Sequence, residues 1–146
     1  MLTGQCLCGK VRYEIDGRLG PIIYCHCSMC RRATGSAFAT NASVRISEFR
    51  IVAGAELITE YESSADNFRA FCSRCGSPMY CKWFDLIRIR LGALNEDPGE
   101  RPIAHLWVSS KAPWHEITDS LERFEEAPPA RYAAPARRVK DPSDSG

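Results

Sequence analysis

The chain has 146 residues, a length that is enough for one domain with its own core. Its residues are 45% hydrophobic and 25% charged, which is ordinary for a globular protein. Its formal net charge of +1 at pH 7 excludes the strongly basic surface typical of proteins that bind nucleic acid or acidic membranes. No apolar run approaches the roughly 20 residues that span a bilayer, and the N-terminal residues do not resemble a signal peptide. We therefore expect a cytoplasmic protein.

Short strands are predicted along most of the chain. The first has Val11, Tyr13 and Ile15 alternating with charged residues, which is the period-2 pattern of a half-buried strand. In a later run, Ile87 and Ile89 share one face and the intervening arginines share the other. Further strand-like runs occupy residues 21–24, 37–40, 44–46, 49–52, 57–61, 68–71, 79–83, 86–91 and 105–108.

Two short helices are also predicted. The first has Ser28 as its N-cap and stops at Gly35, and the second covers residues 119–124. From Ala127 the composition shifts to Pro, Ala, Arg, Ser and Asp, which is typical of a mobile tail. The pattern predicts one all-β domain over residues 1–126, followed by a flexible tail over residues 127–146.

Eight cysteines lie in tight clusters, which favours metal binding over disulfides in a compartment that keeps thiols reduced. Two of the clusters are pairs that are each followed by a glycine, and a glycine allows the backbone to turn tightly around a metal. Together the two pairs predict the four thiolates of a closed, structural zinc site. These four residues are Cys6, Cys8, Cys72 and Cys75.

Cys25, Cys27 and Cys30 form a third cluster, with the spacing Cys-x-Cys-x2-Cys. Three protein ligands leave one position of a tetrahedral zinc open, as in catalytic sites. His26 could also be a ligand, but its two neighbours are already candidates, and in an extended chain it points away from them, which favours a role in orienting the site from behind or in packing there. Cys81 could be a fourth ligand, but its position within a strand favours a small core residue.

Three thiolates on Zn²⁺ leave a net charge near −1, which makes the metal a weak Lewis acid and favours a sulfur ligand in its open position. Coordination deprotonates an incoming thiol, so the sulfur is nucleophilic at neutral pH. Cations are then needed nearby, and Arg31, Arg32 or Arg69 could supply them. The three tryptophans could line a pocket, although packing in the core is the more typical use of each. They are Trp83, Trp107 and Trp114.

The ordered motifs resemble the glutathione-dependent formaldehyde-activating enzyme family, also called the centromere protein V domain family. The resemblance covers residues 3–124 and continues through His105-x-Trp107 and Lys111-x-Pro113-Trp114. The motifs that carry it are Gly4-x-Cys6-x-Cys8-Gly9-x-Val11-x-Tyr13, Cys25-His26-Cys27-x2-Cys30-Arg31, Gly35, Tyr61-x-Ser63-Ser64 and Arg69-x-Phe71-Cys72-x2-Cys75-Gly76-Ser77.

The resemblance implies an Mss4-like β-tent of packed antiparallel sheets that holds two zinc ions. It implies a structural zinc on the four paired cysteines, and a catalytic zinc on Cys25, Cys27 and Cys30, with Arg31 beside them. The implied activity is that of a carbon–sulfur lyase that condenses formaldehyde with glutathione to S-hydroxymethylglutathione. A related small thiol or another small aldehyde would suit the same site.

Two alternatives stay open at this point. The chain could be a non-catalytic zinc-binding module that recognises a partner, although its near-zero charge argues against nucleic acid. It could also be a redox sensor, because Cys27 and Cys30 at the start of a helix have the spacing of a reactive dithiol.

Overall fold

Two β-sheets form the part of the chain that the computed structural model describes, which is residues 1–132. Most of the predicted tail, residues 133–146, lies outside the described residues. The strands in chain order are β1 (Leu2–Gln5), β2 (Arg12–Ile15), β3 (Ile23–Cys25), β4 (Ala39–Arg45), β5 (Phe49–Ala53), β6 (Ile58–Ser64), β7 (Asn67–Cys72), β8 (Pro78–Trp83), β9 (Leu86–Arg90), β10 (Ala104–Leu106) and β11 (Glu122–Arg123).

One α-helix, α1 (Ser28–Thr34), follows β3, and single 3-10 turns connect several of the strands. Within the described residues, no helix combines the length and the apolar character needed to cross a bilayer. The 3-10 turns cover Ile46–Glu48, Ala55–Leu57, Leu91–Ala93, Val108–Ser110 and Ala130–Tyr132.

The smaller sheet has the order β1-β2-β5, and the larger sheet has the order β11-β10-β3-β4-β9-β8-β7-β6. All pairs are antiparallel except those that β10 makes with β3 and with β11. The prediction of an all-β domain built from packed sheets is therefore confirmed, and the parallel pairs at one edge are an addition to it.

The core lies between the two sheets, as the alternating apolar residues require. Tyr13 and Ile15 of the smaller sheet pack with Ile87 and Ile89 of the larger one, and each of these four side chains is at least 98% buried. The Phe49 ring bridges the sheets, because its centroid is 5.1 Å from that of Tyr13 and 5.0 Å from that of Tyr80. Burial of this apolar surface is the main term that holds the sheets together.

The opposite face of the larger sheet is polar, and this face positions the candidate site. The register pairs Ser43 with Arg88, Arg88 with Cys81, and Cys81 with Arg69, so these residues form one row across four strands. Asn41 and Arg90 form the adjacent pair two residues along β4 and β9. The predicted separation of isoleucines and arginines in β9 is confirmed, because the isoleucines lie in the core and the arginines lie opposite.

The structure changes the start of the first predicted helix and replaces the second one with a strand. Cys27, not Ser28, is the N-cap of α1, and its sulfur accepts a hydrogen bond from the Cys30 N–H at 3.3 Å. Gly35 ends the helix in the left-handed conformation at φ 66°, as predicted. The helix predicted over residues 119–124 is wrong. That segment adds a short parallel strand to β10, and the Phe124 N–H bonds to the His105 carbonyl.

Two candidate metal centres and the cavity beside them

Cys6, Cys8, Cys72 and Cys75 bring their sulfurs within 4.8 Å of one another, although the two pairs are more than sixty residues apart in the chain. The sulfur–sulfur distance is 3.5 Å between Cys6 and Cys8 and 3.9 Å between Cys8 and Cys72. A tetrahedral zinc with Zn–S bonds of about 2.3 Å has sulfurs about 3.8 Å apart. The four residues therefore fit a metal ion without rearrangement.

Ser77 connects the two halves of this four-cysteine cluster. Its hydroxyl lies 3.2 Å from the Cys75 sulfur and accepts a hydrogen bond from the Leu7 N–H at 2.8 Å. Hydrogen bonds from the hydroxyl and the backbone of Ser77 lower the pKa of Cys75 to about 5. This sulfur is accordingly a thiolate at neutral pH, which is the form that binds metal.

Cys25, Cys27 and Cys30 also bring their sulfurs within 4.8 Å of one another. The three residues reach this arrangement because β3 ends at the first, the second caps α1, and the third lies in the first turn of that helix. Cys81 does not belong to the group. The three residues predicted to share an open site are therefore brought together by local structure alone.

The protonation of these three thiols indicates that the cluster suits a cation. Hydrogen bonding to Cys27 and Cys30 raises the pKa of Cys25, and burial and repulsion by the other two sulfurs raise it further. Contacts with the other two thiols, together with the charges of Arg90 and Arg69, lower the pKa of Cys30. A cation among the three sulfurs would favour the thiolate form of all of them, so the donor set fits a metal ion.

A cavity of about 520 Å³ opens beside the three-cysteine cluster. All three cysteines line it, and so do Arg69, Arg88 and Arg90 from the polar face of the larger sheet. No Asp or Glu occurs among the described residues of the cavity wall. The cavity is therefore cationic next to the sulfurs, which suits chemistry that develops negative charge.

Arg69 and Arg90 line this cavity close to its cysteine sulfurs. Arg69 Nη1 lies 3.9 Å from the sulfurs of both Cys30 and Cys81, and Arg90 Nη2 lies 3.3 Å from the Cys81 sulfur. Arg90 is only 7% exposed and also donates to the Asn41 Oδ1 at 2.5 Å. Cys81 is buried as expected, but it lies on the cavity side of the sheet and not in the core.

Aromatic and apolar residues form the outer walls of the cavity. Trp83 and Trp107 line it, while Trp114 is 70% exposed and does not, so none of the three tryptophans packs in the core. The Arg88 guanidinium lies over the Trp83 ring, 5.6 Å from its centroid. Part of the predicted tail also forms a wall, through Ala127, Pro128 and Tyr132.

The other predicted site residues lie away from the cavity. Arg32 is exposed on α1, and Arg31 does not line the cavity but has a buried Nε that lacks a hydrogen-bond partner in the described chain. His26 is fully buried on the side opposite the cysteines, where its Nε2 lies 2.8 Å from the Nδ1 of His105. Burial, reinforced by nearby positive charge, lowers the pKa of His26 to about 4. A catalytic role for Arg31 stays a prediction.

Arg88, Arg90 and Asn41 were not predicted as site residues. The one available signal was the alternation in β9, which separates the arginines from the core but does not show what they face. Their approach to the cysteines depends on the order β3-β4-β9-β8-β7, which brings together strands from distant parts of the chain.

Comparison with known proteins supports one family. Residues 1–110 match the family model described as glutathione-dependent formaldehyde-activating enzyme. A Halomonas elongata protein named "Putative glutathione-dependent formaldehyde-activating enzyme" is 34% identical to this chain over 130 residues. The match covers 80% of this chain and 81% of the relative. The crystal structure of a Rhodobacter sphaeroides protein matches with a TM-score of 0.56 and 30% identity, over 68% of this chain and 97% of that one.

Proposed function

The chain belongs to the glutathione-dependent formaldehyde-activating enzyme family, and from this premise we propose that it joins a small thiol to a small aldehyde. The thiol is glutathione or a related compound, and the aldehyde is formaldehyde or a close analogue. The reaction is of the carbon–sulfur lyase type, and with glutathione and formaldehyde its product is S-hydroxymethylglutathione.

The proposal includes two zinc ions with separate tasks. Cys6, Cys8, Cys72 and Cys75 would hold a structural ion, because four thiolates close a tetrahedral site. Cys25, Cys27 and Cys30 would hold the second, whose remaining position supplies a place where a substrate thiol binds as a thiolate.

The observation that carries the proposal is the cationic cavity beside the three-cysteine cluster. In the reaction, the sulfur of the substrate attacks the carbonyl carbon, a carbon–sulfur bond forms, and the carbonyl π electrons move to the oxygen. That oxygen then takes a proton from water, which balances the proton that the thiol released when it bound as a thiolate. Arg69 and Arg90 line the cavity beside cysteine sulfurs, so their charges stabilise the oxygen as it becomes negative.

The size and walls of the cavity support a substrate larger than the aldehyde alone. Its volume of about 520 Å³ lies in the usual range for pockets that take drug-sized ligands. Trp83 and Trp107 offer flat apolar surface, while Arg88 offers a charge near the rim. A peptide-sized thiol with carboxylates would contact both kinds of wall.

Exchange spectroscopy by NMR tests the proposal directly. We expect wild-type protein to accelerate exchange between formaldehyde, glutathione and their adduct, and Cys27→Ser to lose this acceleration while it keeps its fold. The reference is buffer with the same concentration of free zinc, since the reaction also proceeds without protein. Exchange no faster than this reference would sink the enzymatic proposal and favour a non-catalytic zinc module.

A further inference from the structure

A chain of three hydrogen-bonded side chains lies behind the three-cysteine cluster. His105 Nε2 is 2.9 Å from Asp119 Oδ2, and His105 Nδ1 is 2.8 Å from His26 Nε2. Both histidines are at least 98% buried, whereas the Asp119 side chain is 42% exposed. The chain therefore runs from the protein surface to the residue that lies between Cys25 and Cys27.

The chemistry of Asp119 determines the direction of the outer hydrogen bond. Asp119 is held as a carboxylate, since the hydrogen bond from His105, followed by one from the Leu121 N–H, lowers its pKa. A carboxylate only accepts, so His105 carries its proton on Nε2. The second bond joins His105 Nδ1 to His26 Nε2, with one ring nitrogen donating and the other accepting. The two bonds thus hold the His105 ring, and through it the His26 ring, in one orientation.

The same segment is also tied through its backbone. The His26 N–H donates to the Leu106 carbonyl at 2.9 Å, and β3 pairs in parallel with β10, with Cys25 opposite Leu106. His26 is consequently attached to β10 by one backbone bond and one side-chain bond. Because neighbouring residues of an extended chain point to opposite sides, this attachment determines where the sulfurs of Cys25 and Cys27 point.

We propose that Asp119 and His105 are positioning residues that act through His26 to set the separation of the Cys25 and Cys27 sulfurs, and with it the metal affinity of the three-cysteine cluster. This inference rests on the proposed metal site but does not depend on the catalysed reaction. Groups that orient metal ligands from behind typically contribute about 10- to 100-fold in metal affinity.

The variants follow from the geometry. His105→Leu removes both hydrogen bonds of the chain, whereas His105→Asn retains an amide, which can donate or accept a hydrogen bond, and should restore part of the effect. Asp119→Ala changes a partly exposed side chain, so it tests the chain even if the buried substitutions prevent folding. His115→Leu is the matched control, because His115 lies in the same aromatic group without a hydrogen bond to His26 or His105 in the described chain.

The measurement is competition for zinc between a chromogenic chelator and the full-length protein. The ion that is missing in Cys27→Ser is the one held by the three-cysteine cluster. We expect His105→Leu to weaken only this ion, by about 10-fold or more, with His105→Asn and Asp119→Ala intermediate and His115→Leu unchanged. Cobalt substituted into the same cluster should show a shifted visible spectrum in His105→Leu and not in His115→Leu.

Three outcomes would overturn the inference. Unchanged affinity and cobalt spectrum in His105→Leu and Asp119→Ala would show that the chain only packs, even if the melting temperature fell. Equal weakening of both ions would indicate general destabilisation. A wild-type chain that binds only one metal ion would rule out the proposed open site as well. If the chain binds two ions and His105→Leu weakens only one of them, but no thiol–aldehyde exchange is catalysed, only the proposed reaction is ruled out.

Discussion

The guanidinium of Arg69 lies 3.9 Å from the sulfur of Cys30, so a cation of the larger sheet touches the cluster built by β3 and α1. Arg69 reaches this position from the row it shares with Cys81 on the polar face of the sheet. Its Nε donates to the Ser63 hydroxyl at 2.9 Å, which holds the side chain in place. The contact places a fixed positive charge where the proposed reaction develops a negative one.

Arg69→Gln should therefore slow thiol–aldehyde exchange by about 10-fold or more, because loss of roughly 1.4 kcal/mol of transition-state stabilisation corresponds to a factor of ten. The rate constants come from NMR exchange spectra at matched zinc content. Arg32→Gln is the control, since Arg32 is an exposed arginine that does not line the cavity. Equal rates in wild type and Arg69→Gln would mean that this charge does not act on the reacting atoms.

The two metal clusters should respond differently to loss of one sulfur. Cys8→Ser should unfold the domain, because a structural zinc contributes on the order of 10 kcal/mol and a typical domain has only about 5–15 kcal/mol in total. Cys27→Ser should reduce bound zinc from two ions to one with the fold kept. Metal analysis and circular dichroism check both results. If the Cys8→Ser protein stays folded, the four-cysteine site is not required for folding.

The cysteine clusters were predictable because their geometry is mostly local. Cys25, Cys27 and Cys30 converge through one strand end and one turn of helix, so their spacing alone indicates a shared site. The pairing of Cys6 and Cys8 with Cys72 and Cys75 in one site was also predictable, because a closed zinc site needs four ligands and each cysteine pair supplies two.

The cavity wall was not predictable in the same way. The sequence indicates only that Arg88 and Arg90 lie on a face outside the core, and their place in the cavity wall depends on strand order and on contacts between distant segments. Residues 119–124 have a helix-compatible composition, but pairing with β10 overrides that local preference. Tyr132 falls in a stretch whose composition indicates a tail, yet its ring lies 5.7 Å from that of Phe124.

Truncation separates the contributions of the C-terminal residues. A chain ending at Glu126 loses Ala127, Pro128 and Tyr132 from the cavity wall, but it keeps the backbone bonds that the 107–109 segment makes with residues 124–126. We expect it to bind glutathione about five-fold more weakly, equivalent to roughly 1 kcal/mol of lost contact. Tryptophan fluorescence reports the binding, since Trp83 and Trp107 line the same cavity.

A chain ending at Tyr132 is the matched control for this experiment. It retains all described residues of the cavity wall, and it also keeps the hydrogen bond that the Tyr132 hydroxyl donates to Glu122 Oε2 at 2.5 Å. We therefore expect it to bind glutathione as tightly as the full chain. If both truncated chains bind glutathione as tightly as the full chain, the wall formed by residues 127–132 contributes nothing to substrate binding.

The hydroxyl of Tyr13 offers a test of the core with a defined pH dependence. Tyr13 is 1% exposed, and its hydroxyl has no hydrogen-bond partner among the described residues. Tyr13→Phe should leave the free energy of unfolding at pH 7 unchanged or raise it by up to about 1 kcal/mol, because a buried polar group without a partner is removed. Urea denaturation of zinc-loaded protein measures this difference.

Alkaline pH should enlarge the advantage of Tyr13→Phe. Burial, with a smaller effect from Glu96, raises the pKa of Tyr13 above its ordinary value of about 10. The unfolded chain therefore loses this proton first, so wild-type stability falls as the pH rises above about 10, and the variant lacks this loss. Tyr61→Phe, at a site that is 65% exposed, should show no such difference. A cost above about 1 kcal/mol for Tyr13→Phe at pH 7 would show that the hydroxyl has a partner in solution.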